Sequence, residues 1–250
     1  MPKIYILDVT NRDGVQTAHL GLAKIEKTMI NFFLNEMGVY QSEFGFPTTR
    51  HETNYLNANL ELAEMGVLSP IRLSGWLRAI KGDVELAYEM VPGLKYLNLS
   101  ISTSDQMIHS KFQEKMNRET VIKSMVEAVE TAKACGAQGI GINAEDASRS
   151  DIDYLIEFAL AGKEAGAERF RYCDTLGYDS PFTIYERVAK IGEAIQMPIE
   201  LHCHNDLGMV VGNSLAGAKA AIDVGCDVFI NTTINGIGER AGNADLVSVI

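Results

Sequence analysis

The chain has 250 residues, 46% of them hydrophobic, which is enough for one large core, and no Pro- or Ser-rich linker divides it. Its 33 acidic and 22 basic side chains give a formal charge of -11, which argues against nucleic acid and anionic membranes as partners. The four cysteines form no Cys-x-x-Cys pair, and neither a signal peptide nor an apolar span of about 18 residues is evident. We therefore expect a reduced, cytoplasmic, soluble protein.

Short apolar segments alternate along the chain with longer helical patterns. The predicted strands are Ile4–Val9, Tyr40–Phe44, Ile71–Leu77, Tyr96–Ile101, Gly139–Asn143, Arg169–Cys173, Ile199–Cys203 and Val228–Thr232. The predicted helices include Ala23–Met37, Asn54–Met65, Arg118–Ala134, Asp151–Ala165, Pro181–Ile195 and Leu207–Val224. Several of these helices are followed by a glycine that suits a C-cap, namely Gly38, Gly66, Gly136, Gly166 and Gly225.

Eight repeats of strand and helix predict an α/β protein with a (β/α)8 TIM barrel, a single catalytic domain over residues 1–250. The doubly wound alternative needs a glycine-rich phosphate turn after the first strand, and the segment between Asp8 and Gly14 contains no such turn. The eighth helix is predicted to open at Asn243 and to be cut at Ile250, so we expect a barrel truncated in its last helix.

Polar side chains gather where these strands end, which is where TIM barrels carry their chemistry. His202 and His204 lie two residues apart on the seventh strand, so both imidazoles point to the same side. Asp13, after the first strand, adds a carboxylate at the same mouth, and three such groups suit a hard or borderline divalent ion with open positions for a substrate. An isolated His-x-His pair is also compatible with a half-buried strand that binds no metal.

Several motifs occur in an order and spacing that together are highly specific. They are Asp8-Val-Thr-Asn-Arg-Asp-Gly-Val-Gln16, Glu43-Phe-Gly-Phe-Pro47, Thr103-Ser-Asp105, Glu145-Asp-Ala-Ser-Arg149, Asp174-Thr-Leu-Gly177, His202-Cys-His-Asn-Asp-Leu-Gly208 and Asn235-Gly-Ile-Gly-Glu-Arg-Ala-Gly-Asn243. This set resembles the 2-isopropylmalate, homocitrate and citramalate synthases, a family often called the DRE-TIM metallolyases. The last motif resembles the synthases more than the 3-hydroxy-3-methylglutaryl-CoA lyases of the same family.

The resemblance implies a Claisen condensation, in which the enolate of acetyl-CoA attacks the ketone of a 2-oxo acid and the thioester is then hydrolysed. It implies that Asp13, His202 and His204 hold a divalent ion that polarises the ketone, Mn²⁺ or Mg²⁺, with Co²⁺ or Zn²⁺ as alternatives. Asn243 would complete or approach the coordination sphere, or else serve as a helix N-cap. The family also implies a homodimer, with a catalytic base assembled from a C-terminal region of the partner subunit.

Other residues receive roles from the same resemblance. Arg12 would donate to the oxygen that becomes an alkoxide, and Glu145 would take part in a proton relay. Thr175 matches the residue whose hydroxyl binds the α-carboxylate of the oxo acid. The remaining predicted substrate-binding residues are Gln16, Trp76, Arg78, Asn143 and Arg171.

Three positions bear on which oxo acid is used. Homocitrate synthases have an arginine where this chain has Gly141 and a histidine where it has Trp76, so the pocket loses a clamp for a long diacid and becomes shorter. Arg171 on a regular sixth strand faces the barrel and replaces the missing cation, whereas in a flipped register it faces the helices. Oxaloacetate, giving citrate, is the predicted acceptor, with 2-oxoglutarate as the alternative. 2-Isopropylmalate or citramalate synthesis and a non-catalytic metabolite-binding barrel are further alternatives.

Overall fold

The structure is a computed structural model that describes residues 1–112 and 115–250. Within them, eight parallel strands follow one another in chain order, and the first pairs with the last to close a barrel. The strands are β1 Ile4–Asp8, β2 Gln41–Gly45, β3 Arg72–Arg78, β4 Tyr96–Ser102, β5 Gly139–Glu145, β6 Arg169–Asp174, β7 Ile199–Cys203 and β8 Val228–Thr232. The predicted TIM barrel is confirmed.

Helices surround the barrel and connect its strands. They are α1 Lys24–Glu36, α2 Thr53–Glu64, α3 Lys81–Met90, α4 Asp105–Phe112, α5 Arg118–Ala134, α6 Ile152–Ala165, α7 Pro181–Ile195, α8 Val210–Asp223 and α9 Leu246–Val249. Helix α6 ends as predicted at Gly166, whose φ of 110° is one that glycine adopts without strain. In the part of the chain described here, none of the helices is both long and apolar enough to cross a lipid bilayer.

Helix α9 begins later than predicted, and the N-cap hypothesis for Asn243 is wrong. The cap is Asp245, whose carboxylate accepts a hydrogen bond from the backbone N–H of Ser248. Asn243 instead forms an antiparallel bridge with His204 at the end of β7. The backbone pairing therefore carries Asn243 to the mouth of the barrel and not to a helix end.

The strands separate an apolar outer layer from a polar interior. On β6, Phe170 packs against Phe158 of α6, with ring centroids 6.5 Å apart. Arg171, the next residue, reaches Glu43 on β2 across the barrel and Glu200 on the neighbouring strand β7. The strand therefore has the register in which Arg171 faces the interior, because successive side chains of a strand alternate between its two faces.

Candidate functional site

A cavity of about 80 Å³ lies among the C-terminal ends of the strands. Nine of the predicted site residues line it, namely Arg12, Asp13, Trp76, Asn143, Glu145, Arg171, Thr175, His202 and His204. The three predicted site residues outside its wall are Gln16, Arg78 and Asn243.

The three predicted metal ligands form a compact group in this cavity. Among the described residues, Asp13, His202 and His204 each offer a ligand atom within 4.8 Å of the others, and all three residues are buried. Asp13 Oδ2 is 3.5 Å from His202 Nε2, and the two imidazole rings lie nearly perpendicular with centroids 4.9 Å apart. One carboxylate and two imidazoles converge on one point, as a divalent ion requires.

Two buried atoms beside this group lack a hydrogen-bond partner in the described part of the chain. They are Nδ1 of His204 and Oδ1 of Asn243. Asn243 donates from Nδ2 to Asp13 Oδ1 at 2.6 Å, which leaves its carbonyl oxygen free to accept a cation. Buried polar atoms are rarely left unpaired without a reason, so the residues present fit a bound divalent ion.

The protonation states also fit metal binding. Burial opposes ionisation of Asp13, but Arg12 and the two histidines outweigh it and hold the pKa of the carboxyl well below its ordinary value. Burial and the neighbouring His202 lower the pKa of His204 to about 3. Asp13 is therefore an anion and His204 a neutral imidazole near neutral pH, the forms in which these groups ligate metals.

Arg12 lies at the edge of the metal group, held by two carboxylates. Its Nε donates to Glu43 at 2.5 Å and its Nη1 to Asp13 at 2.7 Å, while its guanidinium lies 5.7 Å from the centre of the Trp76 ring. Burial would raise the pKa of Glu43, but Arg12 and Arg171 lower it to about 2. Both contacts are therefore between ionised groups, and together they fix the orientation of the Arg12 guanidinium.

Three other predicted residues present polar groups to the cavity. Both side-chain polar atoms of Asn143 are buried without a partner among the described residues. Thr175 Oγ1 accepts from the backbone N–H of Asp146 at 2.9 Å, which leaves its hydroxyl hydrogen for an acceptor. Glu145 accepts from Lys111 at 2.7 Å and from Ser102 at 2.6 Å.

The structure does not bring Arg78 into the cavity. Arg78 ends β3, and its largely exposed guanidinium makes a two-pronged salt bridge with Asp83 in the first turn of α3, at 2.7 and 2.8 Å. Gln16 also lies outside the cavity wall and donates to Glu239 at 2.8 Å. In both cases the side chain lies at the rim of the barrel and contacts a carboxylate.

Arg171 lines the cavity as predicted, but its charge is already shared. Glu43 and Glu200 both accept from it at 2.7 Å, and all three side chains are at most 1% exposed. Burial would lower the pKa of Arg171, but the two carboxylates raise it above its ordinary value. The guanidinium is not the unpaired cation that the sequence prediction assumed.

Two residues that support the site were missed in the sequence. Asn231 on β8 contacts Nδ1 of His202 at 3.0 Å, and Lys111 on α4 pairs with Glu145. The position of Asn231 on an inward face of β8 could have been read from the strand alternation. The sequence carried no signal for Lys111, because its pairing with Glu145, 34 residues further along the chain, forms only in the folded barrel.

The glycine-rich loop after β8, residues 235–243, packs directly on the proposed metal ligand Asp13. A Cβ added at Gly238 would lie 1.9 Å from Asn243 Nδ2 and 2.8 Å from Asp13 Oδ1. We expect Gly238→Ala to displace the Asn243 amide and to weaken Mn²⁺ binding about 10-fold or more, measured by calorimetry. Gly82→Ala, where nothing lies within 4 Å, is the matched control. Unchanged Mn²⁺ affinity in Gly238→Ala would contradict the contribution of this loop.

Comparison with known proteins identifies relatives in sequence and in fold. The chain is 64% identical over its whole length to citrate (Re)-synthase of Dehalococcoides mccartyi, and 44% identical over 99% of its length to 2-isopropylmalate synthase 2 of Caldanaerobacter subterraneus. It spans 60% and 61% of the length of these two relatives. The fold matches the HMG-CoA lyase of Brucella melitensis with a TM-score of 0.76 at 17% identity, covering all of this chain and 89% of the lyase.

The HMGL-like family model matches residues 3–250, nearly the entire barrel. The match includes every strand end that contributes to the cavity, together with the glycine-rich loop that packs on Asp13. The chain therefore belongs to the HMGL-like family.

Proposed function

We propose that this barrel catalyses a metal-dependent Claisen condensation of acetyl-CoA with oxaloacetate, giving citrate and CoA. The observation that carries the proposal is the placement of Arg12 beside Asp13, His202 and His204 in one small buried cavity. The 64% identity to a citrate (Re)-synthase supports citrate as the product. In the overall reaction the acetyl methyl loses a proton and its carbon bonds to the ketone carbon, whose oxygen gains a proton. Water then adds to the thioester carbonyl carbon, the C–S bond breaks and CoA leaves as its thiol.

Asp13, His202 and His204 would hold a divalent ion, with Asn243 Oδ1 as a further donor. When bound, the ion supplies the positive charge that polarises the ketone of the acceptor. The mixture of oxygen and nitrogen donors favours Mn²⁺ or Mg²⁺, with Co²⁺ and Zn²⁺ as alternatives.

Arg12 is proposed to stabilise the negative charge that develops on the ketone oxygen. Its Nε and Nη1 are engaged by Glu43 and Asp13, which leaves Nη2 for an acceptor oxygen. Because Glu43 and Asp13 hold the guanidinium in place before the substrate binds, the side chain does not have to reorient as the negative charge forms. A fully charged donor in a buried site is more effective there than in water.

The acceptor's two carboxylates would find different partners. We propose that the Thr175 hydroxyl donates to the α-carboxylate, because its oxygen already accepts from a backbone N–H. Among the described residues the amide of Asn143 has no hydrogen-bond partner, so it is a better donor for the distal carboxylate than Arg171, whose charge is shared by Glu43 and Glu200. The indole ring of Trp76, whose centre lies 5.7 Å from the Arg12 guanidinium, would limit the length of the acceptor.

Glu145 is proposed to take part in moving the proton of the acetyl methyl. It lies in the wall of the central cavity and also in the wall of a smaller, more apolar space of about 70 Å³ beside it. Lys111 and Ser102 hold its carboxylate in place. A base at the boundary of two spaces can reach both condensing partners.

We also expect a homodimer in the cytoplasm, the assembly and location predicted from the sequence. The structure gives all four cysteines as free thiols, in keeping with a reducing compartment. Analytical ultracentrifugation measures the assembly state directly.

Acceptor length provides the test of the proposed reaction. Oxaloacetate should exceed 2-oxoglutarate in kcat/KM by about 10- to 200-fold, because one methylene in a packed pocket is worth about 1–3 kcal/mol. Trp76→His should reduce that ratio, since the smaller ring lengthens the cavity. The rate is measured as thiol release from acetyl-CoA with a panel of 2-oxo acids. The ratio is its own control, because a general loss of folding lowers both rates equally.

A wild-type preference for 2-oxoglutarate would contradict oxaloacetate as the acceptor and would support homocitrate formation. Calorimetry of metal-stripped protein with Mn²⁺ followed by oxaloacetate separates an enzyme from a non-catalytic barrel. Failure to bind either one would contradict the metal-dependent reaction as a whole.

A further inference from the structure

A closed circuit of polar contacts runs through the barrel interior and joins two candidate metal ligands. Successive contacts of 3.0, 2.7, 2.7, 2.7, 2.5 and 2.7 Å link His202, Asn231, Glu200, Arg171, Glu43, Arg12 and Asp13. The circuit closes where Asp13 Oδ2 comes within 3.5 Å of His202 Nε2. Every member is at most 6% exposed, so water does not compete for these contacts.

The orientation of Asn231 follows from its partner on β7. Asn231 Nδ2 is 2.7 Å from Glu200 Oε1, and an ionised carboxylate only accepts hydrogen bonds. The amide nitrogen must therefore face Glu200, which leaves the carbonyl oxygen Oδ1 towards His202 Nδ1. A carbonyl oxygen also only accepts, so the proton of a neutral His202 belongs on Nδ1.

Glu200 is itself held as an anion. Arg169 donates to it from Nε at 2.7 Å, and Arg171 donates from its own Nε at 2.7 Å. Both contacts are salt bridges, so two full positive charges face the buried carboxylate of Glu200. The charge that orients Asn231 is therefore held by its two arginine partners, of which Arg171 also lines the cavity.

We infer that Asn231 is a positioning residue that keeps the His202 proton on Nδ1 and so presents Nε2 as a metal ligand, with Glu200 orienting Asn231. The inference rests on the proposed metal-dependent function. It also gives Arg171 a role other than substrate binding. Arg171 connects Glu200, which leads to His202, with Glu43, which leads to Asp13. Groups behind a metal ligand set both its tautomer and the direction of its lone pair.

The test uses Asn231→Leu, which keeps the branched shape of the side chain and removes its acceptor. We expect Mn²⁺ affinity, measured by calorimetry on metal-stripped protein, to fall about 10- to 100-fold. Asn231→Asp keeps an acceptor oxygen for Nδ1 and should bind Mn²⁺ more tightly than Asn231→Leu. Asn231→Ala takes the place of Asn231→Leu if circular dichroism shows that the leucine variant does not fold.

Asn98→Leu is the matched control. Asn98 is a fully buried amide on β4 that donates to Glu43 at 2.7 Å, yet it contacts neither histidine. Its Mn²⁺ affinity should stay within about twofold of the wild-type value, since only the supporting shell of a ligand tunes the metal. An equal loss in Asn98→Leu and Asn231→Leu would overturn the inference, because it would indicate a general effect on the barrel interior.

A second readout does not depend on the metal. In metal-free protein at alkaline pH, ¹⁵N NMR of the imidazoles should place the His202 proton on Nδ1 in the wild type and on Nε2, facing Asp13, in Asn231→Leu. An unchanged tautomer or unchanged Mn²⁺ affinity in Asn231→Leu would overturn the inference. Absence of Mn²⁺ binding by the wild type would contradict the proposed function instead, while the tautomer still tests Asn231.

Discussion

Removal of any one of the three proposed metal ligands is expected to abolish the proposed condensation. His202→Ala, His204→Ala and Asp13→Asn each delete one of three converging buried donors, so Mn²⁺ affinity should fall by more than about 100-fold, beyond the effect of losing a supporting residue. The loss should appear in calorimetric titration with Mn²⁺ and, in parallel, as absent thiol release from acetyl-CoA.

Surface substitutions of the same chemical kind provide the controls. His51→Ala changes an exposed histidine, and Asp223→Asn changes a carboxylate that pairs with Lys219 on the outside of α8. Both should keep wild-type Mn²⁺ affinity, because surface ion pairs contribute little and neither residue lines the cavity. Wild-type affinity in all three ligand variants would end the assignment of the metal site.

Arg12→Lys is expected to lower kcat by about 100-fold or more while metal binding survives. Lysine keeps the charge but not the fork that contacts Glu43 and Asp13 together, and loss of one preorganised donor to an oxyanion has an effect of about this size. Asp13 should stay in place, because its Oδ1 still accepts from Asn243 and from the backbone N–H of Glu239.

The measurement for Arg12→Lys pairs steady-state kcat with Mn²⁺ calorimetry. Arg50→Lys, an exposed position, controls for the chemical change. A near-native kcat in Arg12→Lys would remove Arg12 from the chemistry. A large loss of Mn²⁺ affinity would instead mean that Arg12 acts mainly by holding Asp13.

The sequence by itself determined the barrel and the metal group, because both depend on short-range periodicity. Two predicted strands, Ile199–Cys203 and Val228–Thr232, and two predicted helices, Arg118–Ala134 and Pro181–Ile195, have the observed bounds. Two histidines at i and i+2 on a strand share a face wherever that strand lies. Asp13 joins them because the ends of parallel strands meet at one mouth.

Only the tertiary structure decided which charges are free. Arg171 and Glu43 are 128 residues apart in the chain, and their pairing depends on the closure of the barrel. Asn243 is not the predicted helix N-cap because its backbone pairs with His204. Arg78 lies outside the cavity because its guanidinium pairs with Asp83. A local pattern fixes which face a side chain occupies, whereas its partner on that face is chosen by the register and packing of distant strands.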